Sequence, residues 1–254
     1  MSASSVERLR FLHRGLKARW RNLRVEIGSI IRAVRPDDTV VDVGANKGSF
    51  LRSMSLAVPQ GRVVAFEPQP ELAVYLARMC AAAGHRNVVV EAAGVSSRDG
   101  TMTLAIPGAS GPSPGASFEH AIRAEGACRA VEVSVRSLDS YFADDPRRIG
   151  AIKIDVEGHE PSVLEGAERI LREHGPLLVI EIVGTHTAAG SVRGVLDGLR
   201  SLSYDGWFVH RGRLVPISEF RPELHQRAVG ERYLHHPDFC DNFVLTRAPS
   251  KASA

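Results

Sequence analysis

The chain has 254 residues, of which 44% are hydrophobic and 24% charged, and its mean hydropathy is −0.08. That is enough for one α/β domain with a generous core and too little for two comfortable ones. No apolar run approaches the roughly 20 residues of a membrane span, charges interrupt the N-terminus where a signal peptide needs an apolar core, and a net charge of +3 is too small to imply nucleic acid. Cys80, Cys128 and Cys240 are odd in number and widely spaced, which argues against a disulfide scaffold and against a zinc site and fits a reducing cytoplasm.

Leu9, Leu12, Leu16, Trp20, Leu23, Ile27, Ile30 and Val34 recur at helical spacing with arginines between them. Residues 1–37 therefore read as a basic amphipathic helical extension, broken once and ending before Pro36. From Arg8 to Arg24 there are seven basic residues and no acid. Such a helix packs on the domain edge with a solvated basic face, closes over a site as a lid, or makes weak contact with an acidic partner or membrane surface.

Residues 38–247 then alternate between strand and helix. Strands are expected at 39–43, 62–66 and 87–91, with helices at 48–57 and 71–83, a pattern that calls for a parallel sheet with right-handed crossovers. Residues 101–106 and 131–135 alternate as a paired excursion around a Gly-, Ser- and Pro-rich loop at 107–130 suited to covering a substrate. The sheet resumes at 151–155. A helix follows from Pro161 to a stop before Gly175, then a strand at 177–183, a helix at 191–201 and closing strands at 206–209 and 242–246. His210, His225, His235 and His236 with Phe220, Tyr233 and Phe239 form either a sugar-binding surface or a loop that seals the sheet. Residues 248–254 read as a disordered tail.

Three stretches end an apolar run in an acid beside a turn: Val40-Val-Asp42-Val-Gly44-Ala-Asn46-Lys47-Gly48, then Val63-Val-Ala-Phe66-Glu67-Pro68, then Ile152-Lys153-Ile-Asp155-Val-Glu157-Gly158-His159-Glu160. An open α/β sheet binds nucleosides at such strand tips. Gly44 and Gly48 allow positive φ and close approach to a ligand, and a helix opening at Gly48 would favour a carboxylate at its N-terminus. Glu67 is placed to accept hydrogen bonds from a ribose diol. The spacing Gly44-Ala-Asn46-Lys-Gly48 lacks the G-x-G-x-x-G of a dinucleotide site, which argues against a dehydrogenase.

These motifs, with Arg136-Ser-Leu-Asp-Ser-Tyr141 and Val163-Leu-Glu-Gly-Ala167, resemble the FkbM-type family of S-adenosylmethionine-dependent methyltransferases over roughly residues 38–183. The resemblance implies a Rossmann-like class I methyltransferase fold: a mostly parallel seven-stranded sheet with helices on both faces and an antiparallel last strand at 242–246. It implies S-adenosylmethionine as cofactor, held by Asp42, Gly44, Asn46, Gly48, Glu67, Asp155 and, beside adenine, Ala93. It implies sugars, oligosaccharides or hydroxylated secondary metabolites as hydroxyl acceptors.

The third motif gathers the chemistry. His159 is the natural general base for a hydroxyl, since neutral imidazole is available near pH 7, with Asp155 orienting it and Glu157 beside it. Alternatively Asp155, Glu157 and Glu181 could hold a magnesium ion that acidifies the hydroxyl. Glu160 suits the cap of the following helix. The rival readings are a non-catalytic cofactor-binding scaffold of the same fold and methyl transfer to nitrogen.

Overall fold

The computed structural model describes residues 4–108, 110–113, 115–119, 128–184, 191–227, 236 and 238–248. His235, Tyr233, the centre of the 107–130 loop and the tail from 249 lie outside them.

Two helices open the chain, α1 (Ser5–Lys17) and α2 (Arg24–Ala33), joined by a π-helical turn at Ala18–Asn22. Ser4 and Glu7 form a reciprocal capping box at the start of α1, which satisfies two otherwise orphaned N–H groups. Phe11, Ala18, Ile27 and Ile30 are buried with Val40, Val63, Leu51 and Leu76 of the domain. Burying Phe11 contributes on the order of 1.5–3 kcal/mol, so the N-terminal segment is bound to the domain through its apolar side.

The following elements are β1 (Thr39–Val43), α3 (Leu51–Ala57), β2 (Arg62–Phe66), α4 (Pro70–Ala83) and β3 (Val88–Glu91). After an excursion come β7 (Ile149–Ile154), α6 (Glu160–Glu165), α7 (Glu168–Glu173), β8 (Leu177–Glu181), α8 (Val192–Ser201), β9 (Tyr204–His210), β10 (Arg213–Pro216), α9 (Pro222–His225) and β11 (Asn242–Arg247). The excursion holds β4 (Gly94–Val95), β5 (Gly100–Pro107), β6 (Cys128–Arg136) and α5 (Leu138–Tyr141).

The main sheet has the order β10-β9-β11-β8-β7-β1-β2-β3. Its five central and edge strands β8, β7, β1, β2 and β3 are parallel, and β11 is inserted antiparallel between β8 and β9. The sheet thus has eight strands among the described residues rather than the expected seven. The additional strand, β10, pairs antiparallel with β9 through Arg211 and Gly212, whose φ angles of 48° and 72° suit a tight hairpin. The excursion forms a separate sheet, β4-β6-β5, with its own small core of Leu104, Ile106, Phe118, Val133 and Val135.

The order in which the chain adds its parallel strands reverses between β1 and β7, the topological switch point where ligands bind in open α/β sheets. The expected helix from Pro161 is split in two. A Cβ on Gly166 would collide with the Ser96 carbonyl, and Asp139 takes over as the cap of α7, accepting from the Arg169 and Ile170 N–H groups at 2.8 and 3.0 Å.

Candidate active site

The tip of β1 is built by its own backbone. The N–H groups of Gly44 and Ala45 both donate to the Phe66 carbonyl at 3.0 Å. Gly44, Asn46 and Gly48 have φ of 75°, 48° and 77°, the left-handed region that favours glycine and tolerates asparagine. The glycines answer to the protein's own packing. A Cβ on Gly44 would fall on the Asp155 carbonyl oxygen, and one on Gly48 would stand 2.9 Å from both Phe11 and Leu76. Residues 46–50 are turns and α3 starts at Leu51, so Gly48 does not open a helix and offers no helix N-terminus to a ligand.

Glu67 is 2% exposed and closes the same loop. One carboxylate oxygen accepts from the Asn46 N–H at 2.7 Å and the other from the Gln69 N–H at 2.9 Å. Burial pushes its pKa up, and the two N–H groups oppose that shift. Each oxygen retains a second lone pair for a ligand hydroxyl. Gln69 in turn exchanges two 2.9 Å hydrogen bonds with the Ser113 backbone, tying the 110–113 segment to the tip of β2.

Across the switch point, Lys153 lies buried beneath the β1 and β7 tips. Its Nζ donates to the Gly44 carbonyl at 2.7 Å and lies 3.2 Å from Asp42 and 3.4 Å from Asp155. Burial works against its charge, but Asp42 and Asp155 hold its pKa above the ordinary lysine value. Burial raises Asp42, and Lys153 opposes the rise. Both Asp42 oxygens are buried without a hydrogen-bond partner among the described residues, so the ion pair is what holds that carboxylate.

A cavity of about 250 Å³ opens at these tips, lined by Gly44, Asn46, Glu67, Asp155, Glu157 and Glu181 and roofed by Leu104, Ala116 and Phe118. A second, of about 270 Å³, lies behind the loop and shares Gly44, Asn46, Asp155 and Glu181 with the first. Of the expected cofactor residues, Gly44, Asn46, Glu67 and Asp155 reach the first cavity. Asp42 stands behind it on Lys153, Gly48 is filled by Phe11, and Ala93 is buried in the core while its neighbours Gly94 and Val95 face the cavity.

His159 is not among the residues that line either cavity. It is 3% exposed, and both ring nitrogens are engaged: Nδ1 with Glu119 at 2.7 Å and Nε2 with Ser96 Oγ at 3.0 Å. Phe118 packs on its ring with centroids 5.1 Å apart, and Ser117 Oγ donates to the Glu157 carbonyl at 2.7 Å. Glu157 itself has φ 51°, a costly conformation for a non-glycine residue. The 116–119 segment is thus a strap clamped to the third motif, and the ring of the expected base is held between Glu119 and Ser96. Glu160 starts α6 and accepts from the Gly158 N–H at 2.9 Å; burial pushes its carboxyl up to about 7.

The magnesium expectation finds no support. Asp155, Glu157 and Glu181 share the cavity wall, yet no group of three acidic, His or Cys side chains among the described residues has metal-binding spacing. Asp155 is turned toward the Lys153 ammonium, which supplies positive charge at that point. Burial and the charges of Asp155, Asp241 and Glu157 raise the Glu181 carboxyl well above its ordinary value. In the tail, His225 packs between Phe208 and Phe220 and His210 pairs with Asp238 at 3.1 Å, an arrangement that seals the sheet.

Three further residues complete the site. Lys153 is a lysine within a strand buried along its length, a signal visible in Ile152-Lys153-Ile154. Arg14 donates to the Lys47 carbonyl at 2.9 Å, binding α1 to the cofactor loop, and Phe118 roofs the cavity. Neither carried a local sequence signal.

The chain matches the Methyltransferase FkbM domain over residues 42–205. It is 31% identical over 200 residues to "Methyltransferase sdnD" of Sordaria araneosa, covering 68% of this chain and 75% of that protein. It is 28% identical over 181 residues to "Methyltransferase 1" of Beauveria bassiana, covering 64% and 72%. Among solved structures it resembles Methyltransferase FkbM from Methylobacillus flagellatus KT, with a TM-score of 0.51 and 19% identity, over 96% of this chain and 56% of that one. It also resembles SMU.1697c from Streptococcus mutans in complex with SAH, with a TM-score of 0.50 and 12% identity, over 90% and 98%. The chain belongs to the FkbM family of S-adenosylmethionine-dependent methyltransferases.

Proposed function

We propose that the protein transfers a methyl group to a hydroxyl of a sugar, an oligosaccharide or a hydroxylated secondary metabolite, and that residues 38–247 form the catalytic domain. The observation that carries this reading is the grouping of Asp155, Glu157 and Glu181 on the wall of the cavity that also holds Gly44, Asn46 and Glu67. Burial and its acidic neighbours favour the protonated form of Glu181, which can donate a hydrogen bond, while carboxylates accept, so the wall suits an acceptor that offers several hydroxyl groups.

The residues at the loop fit a nucleoside cofactor: Glu67 for the ribose diol, the Gly44–Asn46 turn for the chain beyond it, and Asp155 for a cationic group. Bound S-adenosylmethionine would supply an electrophilic methyl group on a sulfonium sulfur. Glu157 orients the acceptor hydroxyl and takes its proton on a carboxylate oxygen, with Asp155 held beside it by Lys153. Positioning contributes up to ~7–11 kcal/mol in the best intramolecular cases, and a general base typically ~100- to 10,000-fold. Leu104 and Phe118 exclude water above the cavity, and His159 acts as a positioning residue that anchors their strap. Cys80 and Cys240 are free, buried thiols, which supports a cytoplasmic setting.

The experiment is incubation with methyl-labelled cofactor and a panel of polyhydroxylated acceptors, with carbon NMR of the product. A methyl ether signal is expected. Label found on nitrogen, or no transfer to any hydroxylated acceptor, overturns the reading.

A further inference from the structure

Helix α1 has two apolar faces. Phe11, Gly15 and Ala18 are buried against the domain. On the opposite side Val6, Leu9, Leu16 and Trp20 are 56%, 65%, 40% and 66% exposed. At about 100° per residue Val6, Leu9 and Leu16 fall within roughly a quarter of the helix circumference, pointing away from the fold, and Trp20 continues the ridge from the π-helical turn. Arg10, Lys17 and Arg21, all exposed, flank the stripe on one side, and Arg8 and Arg19 on the other. The π-helical turn carries Trp20 outward under the Arg19 guanidinium, 4.9 Å from the ring centroid. Beside Trp20 a shallow groove is lined by Arg24, Arg32, Arg213 and Leu214.

We propose that this ridge is a docking surface for an anionic lipid bilayer, with α1 lying in the plane of the headgroups. The occupant follows from charge and shape. A second copy would bring like charges together, since the stretch from Arg8 to Arg24 holds seven basic residues and no acid. Nucleic acid would satisfy the arginines but leave the apolar stripe in water. A convex apolar ridge with a tryptophan and basic flanks matches the interface between headgroups and acyl chains. The same helix grips the cofactor loop through Arg14 and Lys47, so docking would hold the active site beside the membrane surface. This proposal does not depend on the identity of the acceptor.

The test is co-sedimentation of the full chain with vesicles of phosphatidylglycerol and phosphatidylcholine, and with phosphatidylcholine alone. Binding is expected on the anionic vesicles, weakened by high salt and absent on the neutral ones. Trp20→Ser with Leu16→Ser should abolish it, and Arg10→Glu, Lys17→Glu and Arg21→Glu together should cut it by about tenfold or more. Cofactor affinity should be unchanged in both variants, which shows that they are folded. Failure to bind anionic vesicles, undiminished binding by the Trp20→Ser and Leu16→Ser variant, a dimer by light scattering that Trp20→Ser dissociates, or binding to polyglutamate but not to vesicles would each overturn the proposal.

Discussion

The loop after β1 and the loop after β7 meet at one cavity but are held in different ways. The first is set by neighbours: its turn residues, the Phe66 carbonyl and the Glu67 carboxylate all lie at the tips of adjacent parallel strands. The second is set from far along the chain. Ser117 and Glu119 reach it from 40 residues upstream, and Ser96 from 63. A loop fixed by local turn chemistry presents backbone, whereas a loop fixed by distant side chains has some of its own side chains used up as anchors. His159 is one of those.

Lys153 joins the two loops, so its removal should have the largest effect. Lys153→Met leaves Asp42 and Asp155 without their cation and should lower stability by roughly 3–5 kcal/mol, the range for breaking a buried pair. Adding Asp42→Asn should recover part of that loss in chemical denaturation. A single variant as stable as the parent would mean that the loops are not coupled through this ammonium.

Next in size is a pH effect on the β7 side. The Glu160 carboxyl is raised from 4.5 to about 7 in the folded protein by burial, so the folded state binds its proton more tightly than the unfolded state. Its contribution to stability is complete below about pH 4.5 and is lost as pH rises toward 7, on the order of 3 kcal/mol. Glu160→Gln should flatten that part of the stability–pH curve. An unchanged slope would place the titration elsewhere.

On the β2 side, Glu67→Ala should weaken S-adenosylhomocysteine binding by roughly 1.5–3 kcal/mol in calorimetry, as expected for hydrogen bonds to a charged group. NAD should not bind to either protein. Tight NAD binding would break the assignment of this loop.

How much of this was legible beforehand follows the same division. The strand–turn pattern at Asp42, Glu67 and Asp155 located the cavity, because apolar runs ending in turn residues depend on nearest neighbours. The eighth strand was missed although Gly212 marked its hairpin, since Arg213–Pro216 is too short for alternation to register. Gly44 and Gly48 were recognised for their conformation, but the atoms that exclude a Cβ belong to Asp155, Phe11 and Leu76, contacts no local pattern records. The surroundings of His159 are hidden for the same reason. Beside three carboxylates in sequence it reads as a base, and its contacts with Ser96, Glu119 and Phe118 leave no local trace.

In the proposed reaction Glu157 takes the proton while His159 holds the strap. This division of roles is tested most directly by turnover at saturating cofactor, with an acceptor found by the labelling assay, for Glu157→Gln and His159→Ala. The account predicts a loss of ~100-fold or more for Glu157→Gln. For His159→Ala it predicts turnover within about tenfold of the parent, with a weaker cofactor affinity and an unchanged pH–rate profile. A loss of ~100-fold or more in His159→Ala at unchanged cofactor affinity, with Glu157→Gln near normal, would restore the histidine as base and contradict the account.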